Sequence, residues 1–285
     1  MKDKKIIVTT MKKKFEIAIC YDFDGTLAAG NMQEYGFLKK LGIKPSEFWN
    51  KSDSLAQEAN ADHVLCYMKC MLDAAKAKNI VFTKDDFANC GKDIKLFAGV
   101  EDWFERINKY AAKKGVKVNH YLISSGLTEI VEGTSIAKYF EQMYACSFMY
   151  NGYGEALWPA RIVNYTDKTQ YLFRINKGCL DPNDEKSVNK LMPLEDRPMP
   201  FSRMIYLGDG DTDIPSMAMV KSRGGHCIAV YQPKKKGAAT KAQKYLDDGR
   251  ANFIAPADYS ADKKIDKCVK YIIDKLVAEQ KLNEL

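Results

Sequence analysis

The stretch Ile17-Ala18-Ile19-Cys20-Tyr21-Asp22-Phe23-Asp24-Gly25-Thr26-Leu27 decides how the rest of the chain is read. Its apolar, β-branched first half predicts a buried strand that stops at two aspartates one residue apart. Gly25 then allows a sharp turn, and Thr26 offers a hydroxyl just beyond the strand end. Side chains at i and i+2 of a strand point the same way, so Asp22 and Asp24 can reach one small space. Two carboxylates there repel unless a cation or a shared proton intervenes, and a hard divalent metal with a phosphate suits that space. A capped turn of the Asx type needs no such chemistry and fits the stretch as well. The other strand ends have to decide.

A chain of 285 residues suffices for one large α/β domain plus an inserted subdomain, and 46% hydrophobic with 28% charged residues is ordinary for a globular chain. The net charge of +7 is spread along the sequence. Its local runs, Lys12-Lys13-Lys14 and Lys234-Lys235-Lys236, read as solvated surface. No base-reading motif or aromatic ladder accompanies them, so nucleic acid is not expected as a partner. Among the eight cysteines there is no Cys-x-x-Cys pair. His63, Cys66 and Cys70 could put three metal ligands on one helix face, but their apolar flanks (Val64, Leu65, Met68, Met71, Leu72) favour buried small hydrophobes. No secretory leader and no bilayer-spanning run is read, so reduced thiols in a cytoplasmic protein are expected.

Taken in order, residues 1–14 read as a basic lead-in in which Met11 could be the start. Residues 31–97 show helical periodicity, with candidate helices over Met32–Leu41, from Pro45 onward, Ala61–Lys78 and Lys84–Cys90. Thr83-Lys84-Asp85-Asp86 resembles a capping box. This block is expected to be an all-helical cap inserted into a discontinuous core of 15–30 and 98–285. A helix over Val100–Lys114 leads to a strand, Val116–Ile123, that runs into Ser124-Ser125-Gly126 and a helix reaching Tyr139. Small hydroxyl residues before a helix start suit an anion, although an N-cap serine at an ordinary turn is frequent. Short strands over Tyr144–Tyr150 and Ile162–Tyr165 suggest a flap, and Asp167-Lys168-Thr169-Gln170 opens a helix. Residues 178–202 read as an irregular surface excursion. Arg203–Leu207 is the next strand and ends in Gly208-Asp209-Gly210-Asp211-Thr212-Asp213. Strands at Cys227–Tyr231 and Asn252–Ala255 and a helix over Ile265–Leu282 complete the chain. Strands alternating with helices predict an α/β, Rossmann-like, mostly parallel sheet with helices on both faces.

Three strands thus end in residues suited to phosphate and metal: Asp22 with Asp24, Ser124, and Asp209 with Asp213. Ligands of open α/β sheets bind outside the carboxyl ends of strands, where these ends converge. On these motifs the chain resembles the haloacid-dehalogenase superfamily hydrolases, in particular their phosphoserine-phosphatase-like branch with a helical cap. Asp22-Phe23-Asp24-Gly25-Thr26 matches the first motif of that family, Ile123-Ser124-Ser125-Gly126 the second, and Gly208-Asp209-Gly210-Asp211-Thr212-Asp213 the fourth. Lys168 best fits the third-motif lysine, with Lys177, Lys186 and Lys190 as alternatives.

The resemblance implies a phosphomonoester phosphatase in which Asp22 is the nucleophile and Asp24 the general acid and base. It further implies that Thr26, Ser124, Ser125 and Lys168 bind phosphate, and that Asp22, Asp24, Asp209 and Asp213 hold Mg2+. A small phosphorylated metabolite is the expected substrate of a monomer or homodimer. A non-catalytic phosphate- or partner-binding module and, from the charge alone, a phosphatase of nucleic-acid ends are the competing readings. Two departures stand out. Thr212 occupies a position where the family often has Asn. Asn31, with Glu34 three residues on, stands where phosphoserine phosphatases usually carry a glutamate.

Overall fold

The computed structural model describes residues 15–285; the basic lead-in, with Met11 and the Lys12–Lys14 run, lies outside the described residues. The described residues form a seven-stranded sheet. Strand β1 (Phe15–Tyr21) is followed by helices α1 (Phe37–Leu41), α2 (Pro45–Ala59), α3 (His63–Ala77), α4 (Lys84–Gly91) and α5 (Val100–Ala112). Next come β2 (Val116–Leu127), α6 (Thr128–Glu132), β3 (Phe140–Tyr150), β4 (Ala156–Arg161), α7 (Asp167–Lys177) and α8 (Glu185–Asn189). The chain closes with β5 (Met204–Gly208), α9 (Ile214–Ser222), β6 (His226–Tyr231), α10 (Ala238–Asp247), β7 (Phe253–Pro256) and α11 (Lys264–Asn283).

The strand order is β4-β3-β2-β1-β5-β6-β7, with every pairing parallel except β3 with β4. This is the Rossmann-like α/β sheet expected from the sequence. Ile17, Ala18, Ile19, Cys20 and Tyr21 are all fully buried, as a central parallel strand covered on both faces requires. The chain moves from β1 to β2 on one side and returns to β5 on the other. The carboxyl end of β1 therefore opens on the crevice where such sheets bind ligands.

Local sequence explains most element ends. Thr83 and Asp86 form a reciprocal capping box at the start of α4: the Asp86 amide donates to Thr83 Oγ1 (3.2 Å) and the Thr83 amide to Asp86 Oδ2 (3.0 Å). Pro45 occupies the first turn of α2, where its missing N–H costs nothing. Between residues 31 and 97 the described elements are helical, with only isolated bridges at Thr83 and Leu96.

Four expectations shift. The helix expected from 127 to 139 stops at Glu132, and a short 3-10 turn, Ala137–Tyr139, follows. The break falls at Gly133, where a Cβ would come within 1.7 Å of the Ala88 carbonyl oxygen of α4. The strand expected at 162–165 lies instead at β4, whose Leu157 and Trp158 are exposed on the sheet edge. The excursion at 178–202 contains α8, and α10 was not marked by the sequence at all. All eight cysteines are unpaired, and among the described residues no helix is long and apolar enough to cross a membrane.

Behind β1 a buried polar chain ties sheet to helix. Trp103 Nε1 donates to the Tyr21 hydroxyl (2.9 Å), which lies 3.0 Å from His120 Nδ1, and His120 Nε2 lies 3.0 Å from Asn108 Oδ1. A neutral imidazole protonated on Nε2 satisfies all three contacts, whereas an imidazolium leaves the Tyr21 proton without an acceptor. Burial accordingly lowers the His120 pKa from 6.5 to about 3. The folded value lies below the unfolded one, so this contribution is complete above pH 6.5 and drains away as pH falls toward 3. Between pH 7.5 and pH 5 the protein should lose about 2 kcal/mol from this residue. Urea titrations at both pH values on wild type and His120→Gln measure it: the variant should be less stable at pH 7.5 but lack that part of the pH dependence. Parallel pH profiles would rule out the neutral imidazole as their source.

Candidate active site

The site begins where β1 ends. The Asp22 amide donates to the Leu207 carbonyl of β5 (2.9 Å), which seats Asp22 between the two strands. Gly25 takes φ +78°, and a Cβ there would fall 2.1 Å from Asp209 Oδ2. Only glycine allows the turn after β1 to press against the Asp209 carboxylate. Thr26 is wholly buried, with its hydroxyl 3.5 Å from Asp209 Oδ1 and its carbonyl accepting from the Tyr259 hydroxyl (2.9 Å). It stands behind the carboxylate.

Lys168, in the first turn of α7, is fully buried. Its Nζ donates to Asp22 Oδ1 (3.0 Å) and Asp213 Oδ1 (2.7 Å). The other three candidate lysines lie elsewhere: Lys177 Nζ donates to the Val188 and Lys190 carbonyls, and Lys186 and Lys190 are exposed. Asp213, also fully buried, accepts four bonds. Its Oδ1 takes Lys168 and the Tyr206 hydroxyl (2.8 Å), and its Oδ2 takes the Asp209 and Gly210 amides (3.1 and 3.0 Å). Asp213 therefore fixes both the lysine and the loop that carries Asp209.

Asp22, Asp209 and Asp213 can each offer an oxygen within 4.8 Å of the others. The electrostatics reveal a deficit of positive charge. Burial, against the counter-effect of Lys168 and reinforced by Asp213, raises the Asp22 pKa to about 6. Burial and then Asp22 and Asp213 raise Asp209 to about 8. Burial and the Asp22 charge hold Asp24 well above the usual carboxylate range. Burial alone would lower Lys168, but the charges of Asp213 and Asp22 outweigh it and keep it an ammonium. A trio of carboxylates with one shared cation fits a metal ion. Because Asp213 has already filled its acceptor positions, Asp22 and Asp209 are the better direct ligands.

Asp22, Asp24, Ser124, Ser125 and Asp209 line a cavity of about 380 Å³. Asp24 Oδ1 accepts the Met32 amide (2.9 Å), leaving its other oxygen free. Ser124 Oγ accepts the Gly126 amide (3.1 Å), whereas the buried Ser125 Oγ has no partner. Thr212 also lines the cavity, and neighbouring Asp211 is anchored from α10 by Lys241 (3.0 Å) and the Tyr245 hydroxyl (2.5 Å).

Sequence reasoning missed the opposite wall: Gln33, Trp49, Ser52, Asp53, His63 and Tyr67, with Tyr165 from the core side. Gln33 lies on a 3-10 turn and Tyr165 in the turn before α7, and the others sit on α2 and α3, whose periodicity marks a buried face but not which face meets a site. His63 is largely exposed and pairs with Asp53 (3.4 Å), while Cys66 and Cys70 are buried, as small hydrophobes would be. Asn31 lines the cavity and donates to Glu34 Oε1 (2.9 Å), which also accepts from Trp49 Nε1 (2.8 Å). Glu34 is therefore already engaged.

No family model matches the chain. A protein of Borreliella burgdorferi described only as uncharacterized is 26% identical over 278 residues, which covers 87% of this chain and 93% of that protein. The solved structure of a HAD (haloacid-dehalogenase) family hydrolase from Salmonella enterica serovar Typhi superposes with a TM-score of 0.54 at 16% identity, covering 83% of this chain and 66% of that one. A phosphoserine phosphatase solved as a phospho-aspartyl intermediate analogue gives 0.53 at 14% identity, covering 90% and 99%. Strand order and superposition agree: the chain has the fold of the haloacid-dehalogenase hydrolases and of phosphoserine phosphatase.

Proposed function

We propose that the protein is a Mg2+-dependent phosphomonoester phosphatase that acts on a small phosphorylated metabolite through an aspartyl-phosphate. One observation carries this reading: Asp22, Asp24, Ser124, Ser125 and Asp209 face a single cavity at the carboxyl edge of adjacent strands, backed by buried Lys168. Lys168 engages Asp22 Oδ1 and leaves Oδ2 for attack on phosphorus. As the Asp22–phosphorus bond forms, the bond to the leaving oxygen breaks, and Asp24 supplies that oxygen with a proton. Burial raises the Asp24 pKa well above the usual carboxylate range, which favours the protonated form that this step needs. In the second half Asp24 takes a proton from water, whose oxygen attacks phosphorus, and Asp22 and inorganic phosphate are released. In this reading Ser124 and Ser125, whose hydroxyl has no partner among the described residues, would donate to phosphoryl oxygens. Asp22, Asp209 and the Asp24 backbone carbonyl would hold Mg2+, which would offset the charge of phosphoryl oxygens and carboxylates.

Residues 31–97 serve in this reading as a cap that selects the leaving group and excludes water. The Tyr67 hydroxyl donates to the Ser125 carbonyl (2.7 Å), and Asn164 donates to Asp62 at the N-cap of α3, so α3 is fastened to the core at two points. The test is phosphate release from p-nitrophenyl phosphate and a panel of phosphorylated metabolites, with Mg2+ and with EDTA. Turnover that EDTA abolishes and Mg2+ restores is expected. No release from any compound with Mg2+ present refutes the reading.

A further inference from the structure

The wall that faces the carboxylates has a chemistry of its own. Trp49 and Tyr67 meet edge to face at 5.9 Å between centroids, and Tyr165 stands at the mouth, 49% exposed. Tyr165 is held at φ +26°, a backbone conformation that a bulky residue rarely adopts without a local reason. Asp53 adds a carboxylate, paired among the described residues with His63 alone. Gln33 is 2% exposed, yet its side-chain oxygen has no hydrogen-bond partner among the described residues. A buried acceptor without a donor is costly, and a turn of the Gln33 amide toward the cavity would let a ligand N–H relieve it. Among the described residues that line the cavity there is no lysine or arginine.

These features select by charge. Aromatic faces attract cations, a carboxylate does the same, and an orphan carbonyl oxygen requires a donor. A leaving group bearing its own carboxylate would meet Asp53 and aromatic faces with only His63 to offset it. Resting on the phosphatase reading above, we propose that the substrate is the phosphate ester of a small amino alcohol, whose protonated amine sits against Gln33, Trp49 and Asp53 and which carries no carboxylate. The phosphate end meets Ser124 and Ser125, and the ammonium end meets the helical wall. The Asp53–His63 pair gives up part of its interaction to the incoming amine, at little cost for a pair so exposed.

The experiment compares kcat/KM for 2-aminoethyl phosphate, 2-hydroxyethyl phosphate, phosphoserine and phosphoglycolate, with p-nitrophenyl phosphate as a reporter whose leaving group bears neither amine nor carboxylate. 2-Aminoethyl phosphate should exceed the hydroxyl analogue by about tenfold or more, because a hydroxyl can also donate a hydrogen bond but only the ammonium gains from the Asp53 charge and the aromatic faces. Both carboxylated esters should fall below the hydroxyl analogue. Asp53→Asn and Gln33→Leu should each shrink the amine-to-hydroxyl ratio, chiefly through KM. Turnover of p-nitrophenyl phosphate with no amine preference, or a preference for the carboxylated esters, overturns the inference and leaves the phosphatase reading standing. A protein that turns over none of the five compounds but hydrolyses another phosphomonoester of the wider panel overturns this inference alone, and one that releases phosphate from no compound of that panel removes both readings.

Discussion

Asp22→Asn should lose at least ~10³-fold in kcat for any phosphomonoester the protein hydrolyses, without losing its fold. The amide is a poor nucleophile, and no neighbour replaces it: Asp24 is tied to the Met32 amide, and Asp209 leans on the turn at Gly25. Stability should move the other way or not at all. Burial and the Asp213 charge disfavour an ionised Asp22, so replacing a carboxylate by an amide of the same shape removes repulsion. Lys168 keeps its 2.7 Å partner Asp213 in the variant. In EDTA the melting temperature of Asp22→Asn should therefore equal or exceed that of the wild type. Acid-quenched wild type mixed with substrate should carry a phosphoryl group detectable by mass spectrometry, and the variant should carry none. A variant that keeps a tenth of the wild-type rate would falsify the assignment of Asp22 as nucleophile.

How far the sequence reached follows from what local order can encode. Strand β1 was legible because five consecutive residues buried on both faces leave an unbroken apolar run, and its end was marked by Asp22 and Gly25. Ser124 and Asp209 could be joined to it because parallel strands carry their carboxyl ends to one edge. The pattern of the helix it opens favours Lys168 but leaves Lys177, Lys186 and Lys190 open, and only packing shows that the Lys168 Nζ reaches two carboxylates. The losses are tertiary. α10 buries just Ala242 and Tyr245 among lysines, too thin a stripe to announce a helix, yet it supplies both groups that hold Asp211. β4 lies on an edge with Leu157 and Trp158 exposed, so its alternation carries no inward face to detect. The helix after Ser125 ends where α4 crosses it, a contact that nothing within residues 127–139 specifies. The wall opposite the carboxylates joins Gln33, Trp49, His63 and Tyr67 from separate elements, and sequence spacing cannot say that they meet.

Lys168→Met should cost stability and activity together, which separates it from Asp22→Asn. The ammonium is fully buried and is shared by Asp22 and Asp213 at 3.0 and 2.7 Å. Removing it leaves two carboxylates in a dry pocket without a counter-charge, and breaking a buried pair in this way costs about 3–5 kcal/mol. Methionine fills nearly the same volume, so little of the loss should come from a cavity. Activity should fall at least ~10²-fold, because the group that orients Asp22 Oδ1 and balances its charge is gone. Arginine is no remedy: it keeps the charge but needs more room than a wholly buried site offers, so Lys168→Arg should also be destabilised. The decisive comparison is a double-mutant cycle in urea. Asp213→Asn alone removes a partner that organises the Asp209 loop and should be destabilising, since the Asp209 and Gly210 amides and the Tyr206 hydroxyl all rely on that carboxylate. With Lys168→Met present, the same change removes an unpaired charge as well as those bonds, so the double variant should be more stable than the sum of the single losses predicts. Additive losses, or a single Lys168→Met cost below about 1 kcal/mol, would mean that the pair is screened by water and does not organise the site.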